Sequence, residues 1–225
     1  NTSGIPLSAI AEGRSPEFRR RWLGTHFFNP PRYLRLVELI PTPETDPAVL
    51  ARMADFIDRR LGKGVVVSRD TPGFIANRIG IYGAVRLLEI VAAGEFTIEE
   101  VDALTGALIG RPKSATFRTL DMAGLDILSA VAGDLARRLG DEGRAFELPA
   151  FVKTMVERGL VGAKTGRGFY QRVKTGDDSK IVTLDLATFE YREASAAKLP
   201  GLEAMRAIGG TGPRIRALLL SKDRA

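Results

Sequence analysis

The chain has 225 residues, 44% of them hydrophobic and 27% charged, with a formal net charge of +6. That balance is ordinary for a globular protein of one or two domains. With no cysteine and a single histidine, His26, it excludes disulfides, a thiol nucleophile, thiolate metal sites and histidine-rich metal centres, so no metal is expected. No apolar run approaches the roughly 20 residues of a membrane-spanning helix, and no signal peptide is recognised, so the expectation is a cytoplasmic protein without membrane contact. Lysines and arginines are spread along the chain without interleaved aromatics, which argues against nucleic acid as a partner.

In chain order, residues 1–25 begin with a polar loop, and Ser15-Pro16-Glu17 starts a helix with proline at the first helical position. Trp22 to Phe28 reads as a buried strand and residues 34–40 as the next. Thr45-Asp46-Pro47 opens a second helix, in which Leu50, Met53, Ile57 and Leu61 recur at helical spacing before Gly62. Val65-Val66-Val67 is a short β-branched strand. Strand and helix thus alternate over 1–69, the pattern of an α/β sheet, in a segment too short for a complete doubly wound domain. None of the G-x-G triplets at Gly62, Gly166 or Gly210 continues into a dinucleotide fingerprint; a phosphate-binding half, if one exists, precedes residue 1.

The character changes at Asp70-Thr71-Pro72-Gly73. Ile75, Ile79, Tyr82, Leu88 and Val91 mark a long buried helix ending near Gly94. Thr97 and Glu100 form a capping box, and that helix continues through Leu104 and Leu108 to Gly110. A further helix runs from Phe117 to Leu139, with an interruption at Gly124, and a shorter one carries Phe151, Met155 and Val156. Residues 174–180 read as a polar turn, 181–186 and 188–192 as a β-hairpin or two short strands, and 202–207 and 213–220 as short helices. Overall the chain is predominantly helical: an α/β piece over 1–69, a helical domain over 70–172, and a hairpin with a second helical segment over 173–225.

The stretch with most chemical content is Gly24 to Pro30, followed by Leu34 to Ile40. Read with period 2, Leu34, Leu36, Glu38 and Ile40 share one strand face. A carboxylate among large aliphatics is costly unless it has a partner. The turn at Asn29-Pro30-Pro31 can bring the two strands together so that Glu38 reaches His26. A carboxylate at one ring nitrogen fixes the tautomer and suits the other for general-base work. From the pattern alone, an unrelated Glu near a sheet-edge His fits as well.

Several stretches, in this order and spacing, resemble the 3-hydroxyacyl-CoA dehydrogenases of fatty-acid β-oxidation over roughly 1–172. They are Asn1-Thr2-Ser3, His26-Phe27-Phe28-Asn29-Pro30, Leu36-Val37-Glu38, Asp70 to Arg78, Leu120-Asp121 with Gly124-Leu125-Asp126, and Lys164 to Tyr170. Gly110 to Thr119 is most similar to a bacterial subgroup in which an enoyl-CoA hydratase-like region follows. The resemblance implies an NAD-binding Rossmann domain, of which this chain would hold the last strands, and then a helical domain that binds substrate and forms a homodimer. It implies oxidation of the 3-hydroxyl of a 3-hydroxyacyl-CoA to the 3-ketoacyl-CoA with hydride transfer to NAD. His26 would be the base and Glu38 its orienting partner. Ser3 would touch substrate and cofactor, or else cap its own backbone; Asn77 would donate to a substrate oxygen, or else face solvent from its helix. Asn29 and Lys164 would contact NAD, with turn chemistry and an ordinary basic loop residue as their alternatives. The apolar faces of the helices at 74–93 and 117–139 are candidates for the dimer interface, or ordinary core. Two other readings stay open: a truncated, non-catalytic dimerisation and CoA-binding module, and a basic helical binding protein whose charge forms one patch.

Overall fold

A computed structural model describes residues 4–176, 178–197, 199 and 201–221. Ser3 and the end at 222–225 lie outside the described residues. Contacts divide the chain into two compact units, residues 1–82 with 134–145, and residues 83–133 with 146–225.

The first unit is built on a three-stranded sheet. Two short helices, α1 (Leu7–Ile10) and α2 (Pro16–Arg20), precede β1 (Leu23–Phe27) and β2 (Leu36–Pro41); α3 (Pro47–Leu61) then leads to β3 (Gly64–Val67). The order is β1-β2-β3, with β1 antiparallel and β3 parallel to β2, so β2-α3-β3 is a crossover unit. Helix α3 starts where Asp46 accepts from the Ala48 N–H at 2.9 Å and Pro47 occupies the first turn. It stops at Gly62, whose φ of 63° satisfies a left-handed cap.

Strand β2 is covered on both faces. Val37 and Leu39 pack on Ile57 of α3; Ile40, on the other face, packs on Leu7 and Phe74. Full burial of a side chain such as Ile57 stabilises by about 1.5–3 kcal/mol. The sequence expectations need four corrections here. Leu34 lies outside β2 and is exposed. The β1 segment is mostly half-buried, with His26 its one buried residue and Phe27 exposed. Leu61 is exposed, because the apolar spacing runs off the buried face in the last turn. The opening loop contains α1, too short to show a periodicity.

The division between the units falls within α4 (Ala76–Ala92) and again within the helix Leu125–Arg138. The second unit continues with α5 (Ile98–Thr105), α6 (Phe117–Ala123), α7 (Leu125–Arg138) and α8 (Ala150–Glu157). Thr97 and Glu100 form the capping box of α5, and Gly124 separates α6 from α7 with a φ of 96°. The expected buried stripe of α4 is corrected: Ala84, Val85, Leu88 and Val91 are buried, whereas Ile79 is 69% and Tyr82 47% exposed, and Ile75 lies before the helix. The helical period was right and the facing of its first turns was not.

Strands β4 (Tyr170–Thr175), β5 (Asp178–Leu184) and β6 (Tyr191–Glu193) make an antiparallel sheet. Residues expected as a polar turn at 174–180 largely extend β4 and β5, pairing Lys174 with Ser179 and Thr175 with Asp178. Polar side chains are compatible with strand where the faces meet water. Helices α9 (Leu202–Ala207) and α10 (Thr211–Leu220) complete the unit, with Leu202 and Met205 packed on Leu108.

Candidate active site

Antiparallel pairing of β1 and β2 sets His26 directly opposite Glu38, so both side chains leave the sheet on one face. His26 Nδ1 lies 2.6 Å from Glu38 Oε2. The pair is buried, at 3% and 1% exposure. Such a carboxylate survives burial only with its lone pairs filled. Here the second oxygen, Oε1, accepts from the backbone N–H groups of Ile75 and Ala76, each at 2.9 Å. Ile75 directly precedes α4 and Ala76 is its first residue, so the carboxylate sits at the helix N-terminus, where the dipole also favours negative charge. Glu38 therefore fastens His26 to the start of α4. An acceptor at Nδ1 assigns the ring proton to that nitrogen and leaves the lone pair on Nε2.

Aromatic rings hold the imidazole in place: Phe28 and Phe74 have centroids 4.5 and 5.7 Å away. Phe74 has a φ of 49°, a conformation a bulky side chain adopts only when its surroundings impose it. Along the same face, Leu7, Trp22, Gly24, Ile40 and Phe74 help wall a cavity of about 240 Å³. A Cβ at Gly24 would meet the end of the Leu7 side chain, which would have to shift, and would lie 3.4 Å from Ile40.

Asn77, the second residue of α4, is half-buried and follows Ala76, whose N–H Glu38 accepts. Asn29 is exposed in the turn after β1, where the Asn29–Pro30 peptide bond is cis. Lys164 belongs to the second unit, is exposed, and forms an ion pair with Asp126. That hydrogen bond holds the Asp126 carboxyl below its ordinary range.

Two further carboxylates organise the second unit. Asp121, 8% exposed, accepts from the N–H groups of Phe169 and Tyr170 through its two oxygens, each at 2.9 Å. Its own carbonyl accepts from the Ala163 N–H at 2.8 Å. It thereby clamps both ends of the loop that carries Lys164. Gly162 and Gly168 belong to the same device, since a Cβ at either would overlap Asp121. Burial pushes the Asp121 carboxyl up to about 6. Asp102 accepts from Thr116 N–H, Phe117 N–H and the Tyr170 hydroxyl at 2.7–2.9 Å, and burial pushes it up as well. Neither role follows from the linear sequence, where the only signal is a lone acid in an apolar helical run. Among the described residues no group of His, Asp and Glu could hold a metal ion, and no helix is long and apolar enough to cross a membrane.

The chain is similar to known proteins over most of its length. Residues 1–71 match the NAD binding domain of 3-hydroxyacyl-CoA dehydrogenase and residues 73–172 match its C-terminal domain. Two relatives carry the name "Probable 3-hydroxyacyl-CoA dehydrogenase". The one from Bacillus subtilis is 49% identical over 226 residues, covering 100% of this chain and 28% of its own. The one from Deinococcus radiodurans is 52% identical over 174 residues, covering 77% and 50%. The crystal structure of Mycobacterium tuberculosis FadB2 superposes with a TM-score of 0.69 at 37% identity, over 77% of this chain and 59% of that one. The chain thus spans about half or less of the length of these two relatives. With two consecutive domain models matched in order over 1–172, and the His26–Glu38 pair at the meeting of β1, β2 and α4, the chain belongs to the 3-hydroxyacyl-CoA dehydrogenase family.

Proposed function

We propose that the protein oxidises the 3-hydroxyl of a 3-hydroxyacyl-CoA to the 3-ketoacyl-CoA, in fatty-acid β-oxidation, with NAD as cofactor. The observation that carries this reading is the buried Glu38–His26 pair, which presents one imidazole nitrogen with its lone pair available. NAD, when bound, supplies the acceptor for the hydride that leaves C3. His26 Nε2 takes the hydroxyl proton as the C3–O bond becomes a carbonyl. Glu38 keeps the proton on Nδ1 and stabilises the imidazolium that forms, the base-and-orienter arrangement of other enzymes. Asn77, at the start of α4, donates its amide to the developing ketone or to the thioester carbonyl. Ser3, which lies outside the described residues, is assigned by the family resemblance alone to hydrogen bonding near the reacting oxygen and to contact with the cofactor.

The residues present fit part of that cofactor. The exposed Asn29 amide, in the turn directly after the His26 strand, suits hydrogen bonding to a carboxamide, and Lys164 supplies a cation on a clamped loop. The chain has no glycine-rich phosphate loop of the G-x-G-x-x-G kind. We read residues 1–69 as the closing strands of a Rossmann-type sheet, 70–172 as the substrate and dimerisation domain, and 173–225 as a connecting hairpin and helices. The exposed Ile79 and Tyr82 of α4, and Ile127 in the second unit, suit a homodimer interface. No observation favours the non-catalytic module.

The test is reduction of acetoacetyl-CoA by NADH, using the protein with its natural flanking sequence, against His26→Ala. Turnover that falls by about 10²–10⁴-fold supports the assignment; turnover indifferent to His26 refutes it.

A further inference from the structure

The second unit contains a larger cavity, of about 420 Å³, that the proposed chemistry does not use. Its volume is within the range of small-molecule sites. Lys113, Arg118 and Arg172 line it from three different segments. None of the three forms an ion pair with a described residue. The one acid in the wall, Asp121, interacts electrostatically with Arg118, so three cations against one carboxylate leave the lining net positive. Cations gathered around one concavity with low-dielectric walls focus a positive potential into it. The rest of the lining includes Met122, 63% exposed, and Ile181. An exposed, adaptable thioether beside an aliphatic side chain favours a flexible hydrocarbon body.

From this combination we infer that the cavity binds a small organic anion on an aliphatic arm, with its head group on Lys113, Arg118 and Arg172 and its arm along Met122 and Ile181. A free fatty carboxylate and the phosphate-terminated pantetheine arm of a CoA compound share that chemistry. Binding is read without turnover, so the inference stands or falls separately from the dehydrogenase reading.

The experiment is calorimetric titration of the 225-residue chain with hexanoate and with 4′-phosphopantetheine, beside the neutral comparators hexanol and pantetheine. Two variants accompany it: the double substitution Lys113→Gln with Arg118→Gln, and Met122→Glu, which places a repelling charge at an exposed position. Circular dichroism checks that each is folded. At least one anion is expected to bind with a Kd near ~1 mM or below, about tenfold tighter than its neutral comparator, with about tenfold loss in each variant. Preference for phosphopantetheine identifies a CoA-type ligand, and preference for hexanoate a free carboxylate. The inference is overturned if neither anion binds below ~10 mM, if the neutral comparators bind equally well, or if both folded variants bind as the parent does.

Discussion

Glu38 in the first unit and Asp121 in the second are the same device with one difference. Each is a buried carboxylate reaching a segment distant in sequence and accepting two consecutive backbone N–H groups, Ile75–Ala76 for Glu38 and Phe169–Tyr170 for Asp121. Glu38 does so with a single oxygen, which frees the other for His26. Asp121 divides them between its two oxygens, and among the described residues no titratable side chain is hydrogen-bonded to it. The first carboxylate can therefore hold a structure and orient a reacting group at once. The second only holds structure, and burial without a hydrogen-bonded cation leaves its carboxyl raised to about 6. What separates the two is that Glu38 gathers both N–H groups on one oxygen and turns the other to the proposed base, His26.

The largest effect expected from this difference is that of Glu38→Ala. It orphans two buried N–H groups and removes the partner of a buried imidazole, so we expect about 3–5 kcal/mol of destabilisation in urea unfolding together with loss of turnover. Asp121→Ala is the smaller counterpart, at about 2–4 kcal/mol for two orphaned donors, with the pH dependence as its signature. Its folded value lies above the ordinary 3.8, so its contribution is fully present below about pH 4 and is lost as pH rises through about 6. The stability difference between parent and Asp121→Ala should therefore shrink on the order of 2–3 kcal/mol across that window. Denaturation at pH 4.5 and pH 7 that gives the same difference would remove Asp121 from the comparison.

Thr97→Ala, which opens the capping box of α5, should cost about 1 kcal/mol in the same experiment without any pH signature. Smallest of all is Lys164→Gln. Its ion pair with Asp126 is exposed, and exposed pairs contribute little, so melting should not move. A raised KM for NAD would then report contact with the cofactor, and an unchanged KM would assign Lys164 to the loop alone.

How much of this was legible in the chain depended on range. The period-2 pattern around Glu38 and the turn at Asn29-Pro30-Pro31 made the pairing with His26 possible, since the two residues lie on adjacent strands with one turn between them, but it was the family resemblance that favoured it over an unrelated Glu. Local signals also placed the capping box at Thr97, the stop at Gly62 and the break at Gly124. The second half of the Glu38 arrangement was not legible, since its donors are backbone groups 37 and 38 residues away and backbone N–H groups carry no sequence label. Asp121 was hidden for the same reason, its donors being 48 and 49 residues distant. The exposed Ile79 and Tyr82 show the complementary failure: helical spacing reveals a stripe, but not whether this chain itself covers it.

The most direct measurement is Glu38→Gln, read for turnover and for stability together. The glutamine oxygen can keep the two α4 N–H groups, while its amide donates toward His26 Nδ1 and favours the tautomer with its proton on Nε2. If Glu38 orients the base, kcat for acetoacetyl-CoA reduction falls by about 10²–10⁴-fold while the unfolding midpoint moves far less than in Glu38→Ala. Turnover retained within a few fold in the folded variant would contradict the assignment and leave Glu38 a structural fastening like Asp121.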